Sequence, residues 1–171
     1  DGDGRRVYRV DPTSKITYLG RLYEHRDTQA YGQLDTFLVY GEPGVVAQVD
    51  YGASGKVTRY VVSDPIDSAT LVVRSNGAIG EQAYFDPFGA RIGSTGLATG
   101  DADLSTSFGF TGHEEDGAGL VNMGGRIYDR TQYRFLSPDP LIGDPLAGQT
   151  YNPYSYVYNN PLRLRDPSGY Q

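Results

Sequence analysis

The chain has 171 residues, with 15 Lys and Arg against 21 Asp and Glu, no cysteine and no tryptophan. A net charge of -6 argues against nucleic acid or an anionic membrane surface as partner, since both need a basic footprint. The missing cysteines exclude a disulfide framework and thiolate zinc sites, and no apolar run approaches the roughly 20 residues of a membrane helix.

The length suits one domain of ordinary size or a piece of something larger. Asp1-Gly2-Asp3-Gly4 has no basic-then-apolar leader pattern, so no secretory signal is visible. Glycine is abundant at 23 and tyrosine at 15. Glycine serves tight turns, and tyrosine suits a half-buried pleated surface with its hydroxyl kept wet. Together they predict an all-β chain of antiparallel hairpins, and no useful 3.6-residue period argues otherwise.

In chain order, Arg5–Val10 alternates like a strand and turns at Asp11-Pro12. Lys15–Leu19 follows, then Gly20 and Arg21–Glu24, then a polar loop from Asp27 to Gln33. Thr36–Tyr40 and Val45–Tyr51 flank Glu42-Pro43-Gly44, which has Pro and Gly where a type II turn wants them. Gly52–Gly55 turns into Lys56–Val62. A loose unit of about 22 residues then recurs, with connections at Asp64-Pro65-Ile66-Asp67 and Asp86-Pro87-Phe88-Gly89. Between them, Ala69–Arg74 and Ile79–Phe85 surround Asn76-Gly77, a strong hairpin signal. Units this short need neighbours to bury their apolar faces. Gly93–Thr106 lacks a pattern and reads as a flexible surface loop.

The stretch from Tyr128 to Tyr170 is the most informative. It holds Asp139-Pro140, Asp144-Pro145 and Asp166-Pro167. Aspartate before proline starts a turn, and the residue before proline is pushed out of the α region. Tyr133–Phe135 reads as a short strand. Asn152-Pro153 can cap and open one or two helical turns that end at Asn159-Asn160.

Arg126-Ile-Tyr-Asp, Arg134-Phe-Leu-Ser-Pro-Asp-Pro, Tyr154-Ser-Tyr-Val-Tyr-Asn-Asn-Pro-Leu and Asp166-Pro-Ser-Gly, in that order, resemble the RHS repeat-associated core domain. That segment closes the tyrosine/aspartate-repeat shells of RHS proteins and of the C components of ABC toxin complexes. The resemblance is close from Phe110 onward and looser back to about Lys56. It implies hairpin repeats over 1–92, a loop over 93–106 and the core domain over 107–171, ended by a short helical or irregular closing segment. It also implies a secreted or cell-surface bacterial shell that begins here mid-array, with strand edges open for pairing. The implied partners are the remaining repeats of the shell or other copies of the chain, and a C-terminal toxin cargo. No nucleic acid, membrane span, cofactor or metal is expected.

Two carboxylates within a few ångströms cannot both ionise easily, so one can hold a proton while the other acts as base. The resemblance implies self-cleavage after Asp-Pro-x-Gly, and carried over by position it names Asp139 and Asp166, with the cut between Tyr170 and Gln171. Tyr170 stands where the family usually has Leu or another bulky apolar residue. Arg134 and Arg165 are the predicted orienters, and Asp144 is an alternative second carboxylate. The plain reading is that these aspartates only start turns. His113 and Glu114-Glu115-Asp116 read as a solvated loop and turn, lacking the spaced ligands of a metal site. Tyr151, Tyr154, Tyr156 and Tyr158 read as packing of a closing segment, with stacking on sugars as the alternative.

Overall fold

A computed structural model describes residues 6–29, 32–42, 44–95, 106–141, 146 and 148–170. The fold is all-β. Strands β1 (Tyr8–Val10), β2 (Ser14–Leu19), β3 (Tyr23–Thr28), β4 (Gly32–Tyr40), β5 (Val45–Gly52), β6 (Gly55–Ser63), β7 (Ala69–Arg74), β8 (Ile79–Phe85) and β9 (Arg91–Thr95) form one sheet in sequential order. Strands β10 (Glu114–Gly117), β11 (Leu120–Asn122), β12 (Ile127–Asp129) and β13 (Arg134–Phe135) form a second. Among the described residues no helix is long and apolar enough to cross a membrane.

The chain divides into two compact units. The first comprises Asp1–Ser63, Thr70–Gln82 and Thr95–Thr106. Directly opposed residues of antiparallel strands share a face. By that register Glu24, Thr36, Leu38, Gln48, Asp50 and Arg59 lie on one face, and all are buried. Asp50 accepts hydrogen bonds from Thr36 Oγ1 at 2.6 Å and Gln48 Nε2 at 3.1 Å, and it pairs with Arg59. The opposite face carries Tyr23, Phe37, Val49 and Tyr51, where Phe37 packs on Tyr23 with ring centroids 5.2 Å apart. Phe37 and Tyr51 are exposed.

The second unit comprises Asp64–Ala69, Ala83–Ser94 and Ser107–Gln171. Its core is Phe110, Val121, Met123, Tyr128, Phe135, Tyr156 and Val157, with Ile66, Phe85 and Phe88 against it. Tyr156 touches Tyr128, Phe110 and Phe135 at centroid separations of 4.9, 5.7 and 6.1 Å. Such ring pairs contribute about 0.5–1.5 kcal/mol each beyond their buried area. The Tyr128 hydroxyl donates to the Phe88 carbonyl at 2.7 Å, which satisfies a buried polar atom.

The recurring Asp-Pro connections share one geometry. Asp64 Oδ1 accepts the amides of Ile66 and Ser68, and Asp86 Oδ1 accepts those of Phe88 and Ala90. The positive φ needed at the fourth position falls on Asp67 (74°) in one and Gly89 (88°) in the other. Asn76-Gly77 closes the β7–β8 hairpin, with Gly77 at φ 84°.

Several expectations need correction. The polar segment Asp27–Gln33 is not a single loop, because β3 runs to Thr28 and β4 starts at Gly32; residues 30 and 31 lie outside the described residues. Pairing between strands holds polar side chains as readily as apolar ones when they face solvent. Glu114-Glu115-Asp116 is strand β10 instead of a solvated turn, and Glu115 pairs with Arg130 at 2.7 Å and Arg91 at 3.4 Å. The predicted loop after Gly93 opens as strand to Thr95, and 96–105 lie outside the described residues. Pro43 of the predicted type II turn does too. The predicted helical turns over 152–161 are a 3-10 turn, Val157–Asn159, with φ values of 41°, 55° and 60°. That is a left-handed turn, which costs L-residues about 1–2 kcal/mol each. It is tied down by Asn159 N–H to Tyr156 O at 2.8 Å and by the burial of Tyr156 and Val157.

Candidate functional site

The site is built around a residue that was not singled out by sequence. Strands β11 and β12 join through Gly124-Gly125, with Gly124 at φ 89°. Arg126 follows this turn, its amide oxygen accepting from Met123 N at 3.1 Å. Its guanidinium is buried and lies over the Phe135 ring, 3.5 Å from the centroid. An arginine in that position keeps its charge only if its donors are answered.

They are answered by four groups. Nη2 pairs with Asp139 Oδ2 at 2.7 Å and Asp166 Oδ2 at 3.5 Å. Nη1 donates to the Pro153 carbonyl at 3.0 Å, and Nε donates to the Gly169 carbonyl. Burial pushes the Arg126 pKa down, while Asp139 and Asp166 pull it back up. Contacts of 2.7 and 3.5 Å to one nitrogen leave the two Oδ2 atoms no more than about 6 Å apart.

The other oxygen of each aspartate does turn work. Asp139 Oδ1 accepts from Leu141 N at 2.9 Å, and the Asp139 amide donates to Pro153 O at 2.8 Å. Asp166 Oδ1 accepts from Gly169 N at 2.8 Å, Tyr170 N at 3.0 Å and Ser168 N at 3.2 Å. Asp166 has no exposed surface, whereas the Asp139 side chain retains 10 %.

The terminal segment is fastened at each residue. Ser168 O accepts from Gly125 N at 2.8 Å. Gly169 passes so close to Met123 O and Arg126 N that a Cβ there would clash, and its φ of 78° suits glycine. The Tyr170 ring lies where a Gly125 Cβ would be.

Asp139 and Asp166, far apart in sequence, are thus brought together. Arg134 is exposed and lies over the Tyr154 ring at 5.5 Å, and Arg165 pairs with Asp67 at 3.3 Å. Asp144 and Gln171 lie outside the described residues. Of the four tyrosines only Tyr156 is fully buried. The Thr111 hydroxyl and His113 Nδ1 are 3.0 Å apart.

No protein-family model matches the chain. It is 30% identical over 168 residues to the toxin subunit YenC1 of Yersinia entomophaga, an alignment that takes in 92% of this chain and 17% of YenC1. Its fold matches the crystal structure of TcdB2-TccC3 with a TM-score of 0.79 at 26% identity, covering 99% of this chain and 9% of that one. It matches the Photorhabdus luminescens Tc holotoxin pore equally well, with TM-score 0.79 and 27% identity over 99% of this chain and 8% of the other. The chain therefore spans about a sixth of the length of the toxin subunit and less of the solved complexes.

Proposed function

We propose that this chain, a toxin-associated module whose fold is that of the RHS-type shell of Tc toxin C components, closes the C-terminal end of such a shell and cuts itself after Tyr170. The observation that carries the reading is the convergence of Asp139, Asp166 and the Gly169 carbonyl on the single guanidinium of Arg126. Gly169 is one residue from the bond to be cut.

The aspartates divide the labour. Asp166, its Oδ1 filled by three amides and its Oδ2 on Arg126, holds the terminal segment in register. Asp139 keeps some exposure, so it is the carboxylate that a water can reach. It takes a proton from that water, whose oxygen attacks the Tyr170 carbonyl carbon; the C–N bond to Gln171 then breaks and the departing amine takes that proton back from Asp139, which restores the carboxylate. Arg126 lies against both carboxylates and offsets the repulsion between them. The segment released would carry the toxic cargo, delivered outside the producing cell.

The test is intact-mass measurement, at neutral pH, of a chain extended beyond Gln171. Cleavage after Tyr170 in the wild type, lost in Asp139→Asn and in Asp166→Asn, is the expected result. Asp64→Asn serves as control, and neutral pH avoids the acid lability of Asp-Pro bonds. A wild type that stays intact, or variants that cut as fast as it does, would overturn the reading.

A second reading is favoured by the exposure of Phe37, Val39, Tyr60 and Val62 and of Tyr8 and Val10 on edge strand β1. A self-associating extracellular β module would cover those residues with another copy and make no cut. Sedimentation of the uncut chain as a concentration-independent monomer would dismiss it.

A further inference from the structure

We propose that Gly125 is the floor of the pocket that chooses the side chain preceding the cut, so that the position of cleavage is set by the fit of Tyr170 as well as by the carboxylates. This rests on the self-cleavage reading above.

The backbone of the tail is held at three successive residues. Gly125 N takes the Ser168 carbonyl, Arg126 Nε takes the Gly169 carbonyl, and Asp166 Oδ1 takes the Tyr170 amide. Those bonds fix the register but are blind to side chains. The selectivity lies in the ring of Tyr170, which packs onto the bare Cα of Gly125: Cε2, Cζ and Cδ2 all lie within 3 Å of where a Cβ would stand. Gly125 has no positive φ, unlike Gly124, so its backbone does not need glycine. The empty side-chain position serves the ring alone. The pocket is open on its outer side, since Tyr170 keeps 39% of its surface, which suits a flat, large side chain with a wet tip.

The experiment uses the extended chain and four forms: wild type, Gly125→Ala, Tyr170→Ala, and the two combined. A methyl at residue 125 pushes the ring out, and loss of the ring leaves the tail unanchored, so each single change slows cleavage by about 10-fold or more. The double variant is no slower than Tyr170→Ala, because the methyl then meets no ring. In the uncut Asp139→Asn background, hydrogen exchange at the Tyr170 amide is faster in Gly125→Ala than with Gly125, which reports docking without chemistry. Cleavage of Gly125→Ala at the wild-type rate overturns the pocket and leaves self-cleavage standing. So does multiplication of the two losses in the double variant, or unchanged exchange in a slowed Gly125→Ala. An uncut wild type overturns both.

Discussion

Removing Arg126 should destabilise the second unit more than any other single side-chain change at the site. In Arg126→Met the thioether side chain fills much of the volume over Phe135, so the loss is chiefly electrostatic. The buried carboxylate of Asp166 is left without its guanidinium, and stranding one member of a buried pair costs about 3–5 kcal/mol. The Gly169 carbonyl also loses its Arg126 donor, whereas the Pro153 carbonyl keeps the Asp139 amide. An unanswered buried acceptor costs about 1–3 kcal/mol, and since these terms overlap the expected total is about 4 kcal/mol. Urea denaturation followed by the near-ultraviolet circular dichroism of the packed tyrosines measures it; the chain has no tryptophan to confuse the signal. Adding Asp166→Asn to Arg126→Met removes the stranded charge while keeping an oxygen for the turn amides, and about 2 kcal/mol should return. A loss below about 1 kcal/mol in Arg126→Met, or a double variant weaker by the sum of both changes, would show that the guanidinium is not what holds the carboxylates together.

Alkaline unfolding should be driven by the core tyrosines. Burial raises Tyr156 from an unfolded value of 10.0 to about 12 and raises Tyr128 further, so the folded chain binds protons that the unfolded chain has released. The stability they lend is complete below pH 10 and fades from there through 12; tyrosinate absorbance should show them ionising only as the dichroism collapses. Asp129→Ala should cost about 1–2 kcal/mol in urea, since Oδ1 accepts the amides of Thr131 and Gln132 and the Thr131 hydroxyl. Those donors hold the Asp129 pKa below its usual value, so its contribution is present above about pH 4 and is lost as pH falls through the depressed value. Cleavage should also be strictly intramolecular, because Gly125, Arg126 and Asp166 still grip residues 168–170 after the cut. An extended Asp139→Asn chain mixed with an excess of wild type should remain whole by mass spectrometry.

The hairpins were legible where turn chemistry pins both ends. Asn76-Gly77 permits little but a tight reversal, and the strands on either side, Ala69–Arg74 and Ile79–Phe85, end where the sequence places them. Asp27–Gln33 misled because polarity was taken for irregularity, although inter-strand pairing needs backbone groups and not apolar side chains. The site was half legible. Asp139 and Asp166 announce themselves by the prolines that follow, but their cation does not. Arg134 and Arg165 drew attention as neighbours in sequence, yet Phe135 is buried, and the alternation of a strand turns Arg134 the other way. The usable signal for Arg126 was its setting: a lone charge between a glycine pair and the apolar Ile127-Tyr128, where a buried arginine needs carboxylates from elsewhere. The left-handed turn at Val157 had no signal, since a β-branched residue is the last choice for positive φ.

Asp64, Asp86 and Asp166 make nearly the same turn, with one carboxylate oxygen gathering the amides two to four residues ahead. What separates Asp166 is the second oxygen. In the first two turns no cation is paired with it among the described residues, and in the third it faces Arg126. Turn formation alone does not account for the meeting of Asp139, Asp166 and Arg126, since Asp64 and Asp86 form equivalent turns and, among the described residues, no guanidinium is paired to them. The meeting does have a structural use, because it stitches residues 166–170 to the turn at Gly124-Gly125. Stability and chemistry part company at one substitution. Asp139→Asn keeps one oxygen, for Leu141 or for Arg126, while Asp166 and the Pro153 and Gly169 carbonyls still answer the guanidinium, so it should fold, yet it cannot accept a proton from water. A folded but uncut Asp139→Asn chain assigns this carboxylate to chemistry, and one that cuts normally assigns it to the stitch.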